Sequence, residues 1–172
     1  LDFRIEGLAS DGSGYSCNVE IAIAGFERAV EDVDAVVRHL RERSDVDQSR
    51  LAIGGVSRGG ILSIAYAGMR PNVFHGAINF NGGWLGRGCL NHEIVNPIIF
   101  ERGAPAGIST LWLYGSYDQY YRIGHCRGNF ERFLAASGQG KFIVAPMGHA
   151  LLFKPALWKN HLDQYLDGLG HS

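Results

Sequence analysis

The run Leu51-Ala52-Ile53-Gly54-Gly55-Val56 carries no polar side chain, and it ends abruptly on Ser57 ahead of the small-residue stretch Ile61 to Met69. A strand with one wet face alternates polar and apolar residues, whereas a strand without alternation is covered on both faces, as in a parallel sheet between helical layers. The same order recurs along the chain. A helical stripe of Phe26, Val30, Val33, Val37 and Leu40 precedes the run. After it come a strand at Gly76 to Phe80, a helical stretch near Asn91 to Arg102 and a strand at Thr110 to Tyr114. A helix over Tyr121 to Ala136 closed by Gly138, a strand at Phe142 to Ala145 and a helix over Pro155 to Leu169 complete the series. Leu1 to Arg4 reads as the tail of a further buried strand, which enters a loop through Asp11-Gly12-Ser13-Gly14. This alternation predicts an α/β fold: a mostly parallel sheet of about five strands with right-handed crossovers and helices on both faces. At 172 residues and 46% hydrophobic content, residues 1–172 are expected to form one domain.

Charge narrows the function. Charged residues make up 19% of the chain and the formal net charge is -1, so no basic surface for nucleic acid is expected. The densest basic stretch, Arg38, Arg41 and Arg43, is interrupted by Glu42 and falls where a helix should end, which suits the helix dipole. No apolar run approaches the ~18 residues that cross a bilayer, so no membrane partner is expected. Cys17, Cys89 and Cys126 are an odd number without zinc-ribbon spacing, which argues against a disulfide framework and favours a reducing, cytoplasmic setting. Neither a metal nor an organic cofactor is expected.

Gly55-Val56-Ser57-Arg58-Gly59-Gly60 fits Gly-x-Ser-x-Gly and lies between a predicted strand and a predicted helix, the context in which this pattern makes a sharp turn that lifts a nucleophilic serine above the sheet. The backbone N–H of Arg58, at the positive end of the following helix, is the expected first donor to an oxyanion. Partners for Ser57 belong at the carboxyl ends of the strands. Asp45, Asp47 and His75 precede strands and are excluded on that ground. Asp118 directly follows the Thr110 strand, in Tyr114-Gly115-Ser116-Tyr117-Asp118, and His149 follows the Phe142 strand, in Pro146-Met147-Gly148-His149. In those roles His149 takes the Ser57 proton and returns it to the leaving group, while Asp118 fixes the imidazole tautomer.

With these residues the chain resembles the dienelactone-hydrolase-like and prolyl-oligopeptidase-like branch of the α/β hydrolases. The resemblance is carried by Glu31-Asp32-Val33, Val46-Asp47 through Arg50-Leu51, Gly55 to Gly60, Tyr114-Gly115 with Asp118, and Gly148-His149. It implies an α/β-hydrolase fold, a Ser, Asp and His triad that maps onto Ser57, Asp118 and His149, and activity on small esters or lactones. Dienelactone hydrolases proper use cysteine, and Ser57 stands in that place here. The family also has strands ahead of the one at Leu1 to Arg4, with a loop that supplies a second oxyanion donor. That donor has no counterpart in this sequence, so the fold is expected to be truncated at its N-terminal side. An uncovered sheet edge invites pairing, and a homo-oligomer through that edge is expected.

Cys89, His92, His125 and Cys126 follow successive strands and admit two further readings, a zinc site or a Cys89–Cys126 disulfide. Trp84, Tyr117 and Tyr120 fall in loops at the site end and are candidates to wall an acyl pocket. The reading favoured by the sequence is a serine esterase acting on a small-molecule carboxylic ester through an acyl-enzyme. The alternatives are a peptidase of the prolyl-oligopeptidase type and a non-catalytic remnant that serves as a dimerising or binding module.

Overall fold

The computed structural model describes residues 16–169. The strand predicted at Leu1 to Arg4 and the loop through Asp11 to Gly14 lie outside the described residues. In chain order the elements are α1 (Val19–Glu42), β1 (Ala52–Val56), α2 (Arg58–Met69), β2 (Gly76–Phe80), α3 (His92–Glu101), β3 (Ser109–Gly115), α4 (Ile123–Ala135), β4 (Gln139–Ala145) and α5 (Lys159–Leu169). Among the described residues the sheet has four strands in the order β1-β2-β3-β4, all parallel. The registers are in phase: Val56 pairs with Phe80, Phe80 with Leu113, and Gly115 with Ala145. Every strand therefore releases its chain at one rim, which is where Ser57, Asn81, Asp118 and His149 arise.

Side-chain alternation along the strands feeds two cores. Ala77, Trp112 and Tyr114 point into a large cluster with Phe26, Ile61, Ala65, Phe100 and Phe133 from α1 to α4. Ile78, Phe80, Leu111 and Leu113 point the other way, against Trp158, Leu162 and Tyr165. Helices thus cover both faces of the central strands β2 and β3, whereas β1, at the edge of the described sheet, has no fully buried residue, which corrects the expectation drawn from its unbroken apolar run. Asn18 caps α1 by accepting the Ile21 N–H at 2.9 Å. Asp34 of α1 accepts from the Arg70 guanidinium at 2.8 and 3.0 Å and from the Tyr66 hydroxyl at 2.7 Å, which ties α1 to the helix behind Ser57. The Arg70 guanidinium holds the Asp34 carboxyl below its usual range.

The predicted last helix is broken in two. Pro155 sits in a 3-10 turn, Pro155–Leu157, and Trp158 leaves helical geometry at φ -139° before α5 begins at Lys159. The Trp158 indole N–H donates to the Leu151 carbonyl at 3.0 Å, so the break packs this ring under the loop that carries His149. From α5, the Tyr165 hydroxyl donates to the Ser109 carbonyl at 2.6 Å and accepts the Ala77 N–H at 2.9 Å, which fixes the opposite end of the sheet. Among the described residues no helix is long and apolar enough to cross a membrane.

Candidate active site

Ser57 stands between β1 and α2 with φ 56° and ψ -121°, a conformation in which a residue with a Cβ is strained. The turn is held by backbone bonds on every side. The Ser57 N–H donates to the Phe80 carbonyl at 3.0 Å, and the Ser57 carbonyl accepts from Gly60 at 3.0 Å, Ile61 at 3.3 Å and Gly83 at 3.2 Å. Two glycines make room for it. A Cβ at Gly55 would run into the Gly59 backbone, and one at Gly60 would meet the Asn79 side-chain oxygen. Gly59 has open space where its Cβ would be, so the steric demand falls on Gly55 and Gly60. Arg58 opens α2, which directs the positive end of the helix dipole to the Ser57 side chain.

Asp118 and His149 are brought together. The His149 Nδ1 lies 2.8 Å from Asp118 Oδ2, with the Asp118 side chain fully buried and that of His149 20% exposed. The other carboxylate oxygen accepts the N–H groups of Tyr120 at 2.7 Å and Tyr121 at 3.1 Å. A carboxylate so placed accepts the Nδ1 proton and leaves Nε2 with its lone pair for a substrate or a nucleophile. Asp45, Asp47 and His75 lie at the opposite end of the sheet, where the His75 N–H meets the Leu51 carbonyl.

Ser57 meets a different residue at rest. Its Oγ is 3.4 Å from the Tyr121 hydroxyl, which in turn is 2.7 Å from the Gly83 carbonyl and donates to it. Facing Ser57, that hydroxyl is therefore an acceptor. The Tyr121 ring also lies 5.7 Å from the His149 ring, so this one buried residue meets Ser57 and His149 through its side chain and Asp118 through its backbone N–H. The sequence placed Tyr121 only at the start of a predicted helix; its position three residues after Asp118 was the available signal.

Asn81 is a second residue that the sequence reading passed over. It follows β2 at the same rim, is fully buried and has φ 47°. Its Oδ1 accepts the Gly115 N–H at 2.7 Å, and its Nδ2 donates to the His149 carbonyl at 3.0 Å. It thereby fastens the end of β3, which leads to Asp118, to the backbone of His149. The positional rule that selected Asp118 and His149 also reaches Asn81, but it was applied only to residues able to carry protons. The segment it begins is bonded throughout: Tyr114 donates to the Gly82 carbonyl at 2.7 Å and Arg58 Nε to the Trp84 carbonyl at 3.2 Å. Asn96 Oδ1 accepts from Trp84 and Leu85, both at 2.9 Å.

Of the aromatic candidates, Tyr120 stands edge-on to His149 with ring centroids 4.8 Å apart and is half exposed, and Tyr117 is exposed beside it. Trp84 is buried, with Phe26 against its edge and the Arg58 guanidinium 5.2 Å from its ring. It is part of the core, and its indole is no open pocket wall. The cysteine reading is corrected as well. Cys17 and Cys89 form a disulfide with Cα atoms 5.2 Å apart, and Cys126 is a buried free thiol. Proximity decided the pairing, because the Cys17 carbonyl accepts from Asn91 at 2.8 Å and lies against the loop of Cys89. Cys89 is thereby unavailable to zinc. Among the described residues no group of three metal-binding side chains assembles, and burial raises the Cys126 thiol far above its ordinary range.

Residues 11–84 match the model of the prolyl oligopeptidase family. Among solved structures, a variant of SOBER1 from Arabidopsis thaliana superposes with a TM-score of 0.65 at 17% identity, covering 85% of this chain and 65% of that one. A truncated carbohydrate esterase from gut microbiota gives 0.65 at 17% identity, over 82% of this chain and 68% of that one. The acylaminoacyl peptidase of Pyrococcus horikoshii gives 0.58 at 14% identity, over 91% of this chain and 29% of that one. The chain thus spans just under two thirds of the length of the SOBER1 variant. No curated protein sequence matches it. By its parallel sheet and these neighbours the chain has the α/β-hydrolase fold, and over residues 11–84 it resembles the prolyl oligopeptidase family.

Proposed function

We propose that the chain cleaves small carboxylic esters through an acyl-enzyme on Ser57, with His149 as general base and Asp118 as its orienting carboxylate. The observation that carries this reading is the buried Asp118–His149 pair at 2.8 Å, set at the same rim as a serine in a strained strand-to-helix turn. In the first step Ser57 Oγ adds to the ester carbonyl as its proton passes to His149 Nε2. The tetrahedral oxyanion faces the N-terminus of α2, where the Arg58 N–H is the proposed donor. Collapse releases the alcohol with the proton held on His149. Water then repeats the sequence and frees the acid, so no metal or organic cofactor is needed. Before attack the Ser57 hydroxyl must turn from Tyr121 toward His149.

A peptidase is the second reading, favoured by the family match over residues 11–84. Labelling by a fluorophosphonate probe that Ser57→Ala abolishes, together with turnover of chromogenic esters, is the expected result. Turnover of short peptide amides at a higher kcat/KM than esters would select the peptidase. A folded chain that neither labels nor turns over either substrate would point to a binding module.

A further inference from the structure

Beside the Asp118–His149 pair lies a cavity of about 840 Å3 between the segment of residues 86–90, the first turn of α3 and the start of α4. Its size falls in the range of ~300–1,000 Å3 that takes small organic ligands. Tyr120 is the wall it shares with the candidate active site, since this residue lines the cavity while its ring stands 4.8 Å from His149.

The cavity lining carries more cationic than anionic side chains. Arg70, Arg102 and Arg132 each have a carboxylate partner. Arg87 and Arg122, both in the cavity lining, make no ion pair among the described residues. Backbone structure, and not a chance side-chain rotamer, brings these two to one rim: the Arg87 N–H donates to the Tyr120 carbonyl at 2.9 Å, two residues from Arg122. One carboxylate, Glu93, lines the same cavity. Two guanidinium groups against one carboxylate leave a single positive charge to be matched.

His125 lines the cavity without adding a charge. Asn96 Oδ1 accepts two backbone N–H groups, which fixes its amide and makes Nδ2 a donor to His125 Nε2 at 3.2 Å. Asn129 Nδ2 lies 3.0 Å from the same atom. With Nε2 accepting, the ring proton sits on Nδ1, and burial, aided by neighbouring His92, pushes the His125 pKa down to about 4. The lining thus offers two planar cations beside a histidine that stays neutral.

We propose that this cavity recognises a carboxylate, and that the ester cleaved at Ser57 carries a free carboxylate on the part that reaches past Tyr120 to Arg87 and Arg122. The guanidinium fork matches a carboxylate with two parallel hydrogen bonds, and Glu93 disfavours a dianion such as phosphate in the same space. The substrate identity rests on the serine-hydrolase reading above; the carboxylate site itself does not.

The test compares 4-nitrophenyl monoesters of adipic and suberic acid with their amide-capped counterparts, which differ only in the distal charge. In the wild type, kcat/KM for at least one acid is expected to exceed that of its capped form by about tenfold or more, mainly through KM. Arg87→Gln and Arg122→Gln should each reduce that ratio several-fold, and added salt should reduce it too. Equal values for acid and capped ester in the wild type, or a ratio that survives both substitutions, overturn the proposal. Calorimetry on Ser57→Ala separates the two layers of inference, with the monoamides of adipic and suberic acid and inorganic phosphate as probes. If no ester is cleaved but a monoamide binds and Arg87→Gln abolishes that binding, the carboxylate site stands and the hydrolase reading falls. If neither monoamide binds, or phosphate binds more tightly than both, the carboxylate site falls.

Discussion

The connection between β2 and α3 has two halves built on different principles. From Asn81 to Leu85 the backbone polar groups are taken up by the buried side chains of Asn81, Tyr114, Tyr121 and Asn96 and by the half-buried Arg58, each of which holds a carbonyl or an N–H, or joins this segment to the neighbouring strand ends. From Gly86 to Leu90 the residues are intermediate or exposed, and Leu90 is 90% exposed. This second half is tied down by the Cys17–Cys89 disulfide, the Arg87 bond to Tyr120 and a turn bond from Cys89 to Gly86. The half next to Ser57 is thus rigid through many directional bonds in a dry setting. The half that reaches the cationic cavity is kept in place by one covalent link and a few backbone contacts. Chemistry needs atoms held to a fraction of an ångström, whereas recognition of a flexible ligand tolerates movement.

Ways to break this contrast run from large effects to small. Asn96→Ala removes the partner of two buried N–H groups and of the Leu85 carbonyl. It is expected to lower the unfolding free energy by about 3–5 kcal/mol, while Arg87→Gln in the other half should stay within about 0.5 kcal/mol, both read from urea unfolding. If the two variants lost similar stability, the contrast between the halves would be gone. Replacing Cys17 and Cys89 together by serine opens a link between residues 72 apart. A loss of about 2–4 kcal/mol is expected, with hydrogen exchange rising in residues 86–91 more than in residues 81–85.

Asn81→Gly keeps the left-handed backbone without strain and removes both side-chain clamps on the strand end and on His149. A fall in kcat of about tenfold with KM little changed is the expected signature of a positioning residue, measured with a neutral chromogenic ester. A KM effect alone would assign Asn81 to substrate binding instead. The smallest effect is a matter of pH. Because burial holds the His125 pKa near 4, below its unfolded value near 6.5, the unfolded chain binds more protons between these limits. Stability contributed by neutral His125 is therefore present above about pH 6.5 and is lost as pH falls toward 4. In His125→Gln the urea midpoint should depend less steeply on pH across that window.

Much of the fold was legible because periodicity reports burial directly. β2 was read with its observed bounds, and α2, α3 and α4 differ from their predicted spans by only a few residues at either end. The split of the last helix was less legible, since Leu162, Tyr165, Leu166 and Leu169 keep a helical stripe that says nothing about Pro155 to Trp158 upstream. The site was readable where position along a strand determines place in space, so Asp118 and His149 emerge at the rim shared with Ser57. It was not readable where contacts cross the chain. Tyr121 meets Ser57 over a separation of 64 residues and Asn81 meets His149 over 68, and no local pattern marks either. Cysteine counting failed for the same reason, because only proximity identifies Cys17 as the partner of Cys89.

The order of residues by itself determined which segments form strands and which helices, where the chain must turn sharply at Ser57, and which end of the sheet collects the polar groups. These follow from side-chain period and from the room that Gly55 and Gly60 leave, both of which are local. Only the folded structure decided what those groups touch: a tyrosine against the serine, an asparagine clamp on the histidine, a disulfide, and two arginines at the rim of one cavity. Such contacts depend on the relative placement of strands and loops dozens of residues apart, a property of packing that local sequence does not encode.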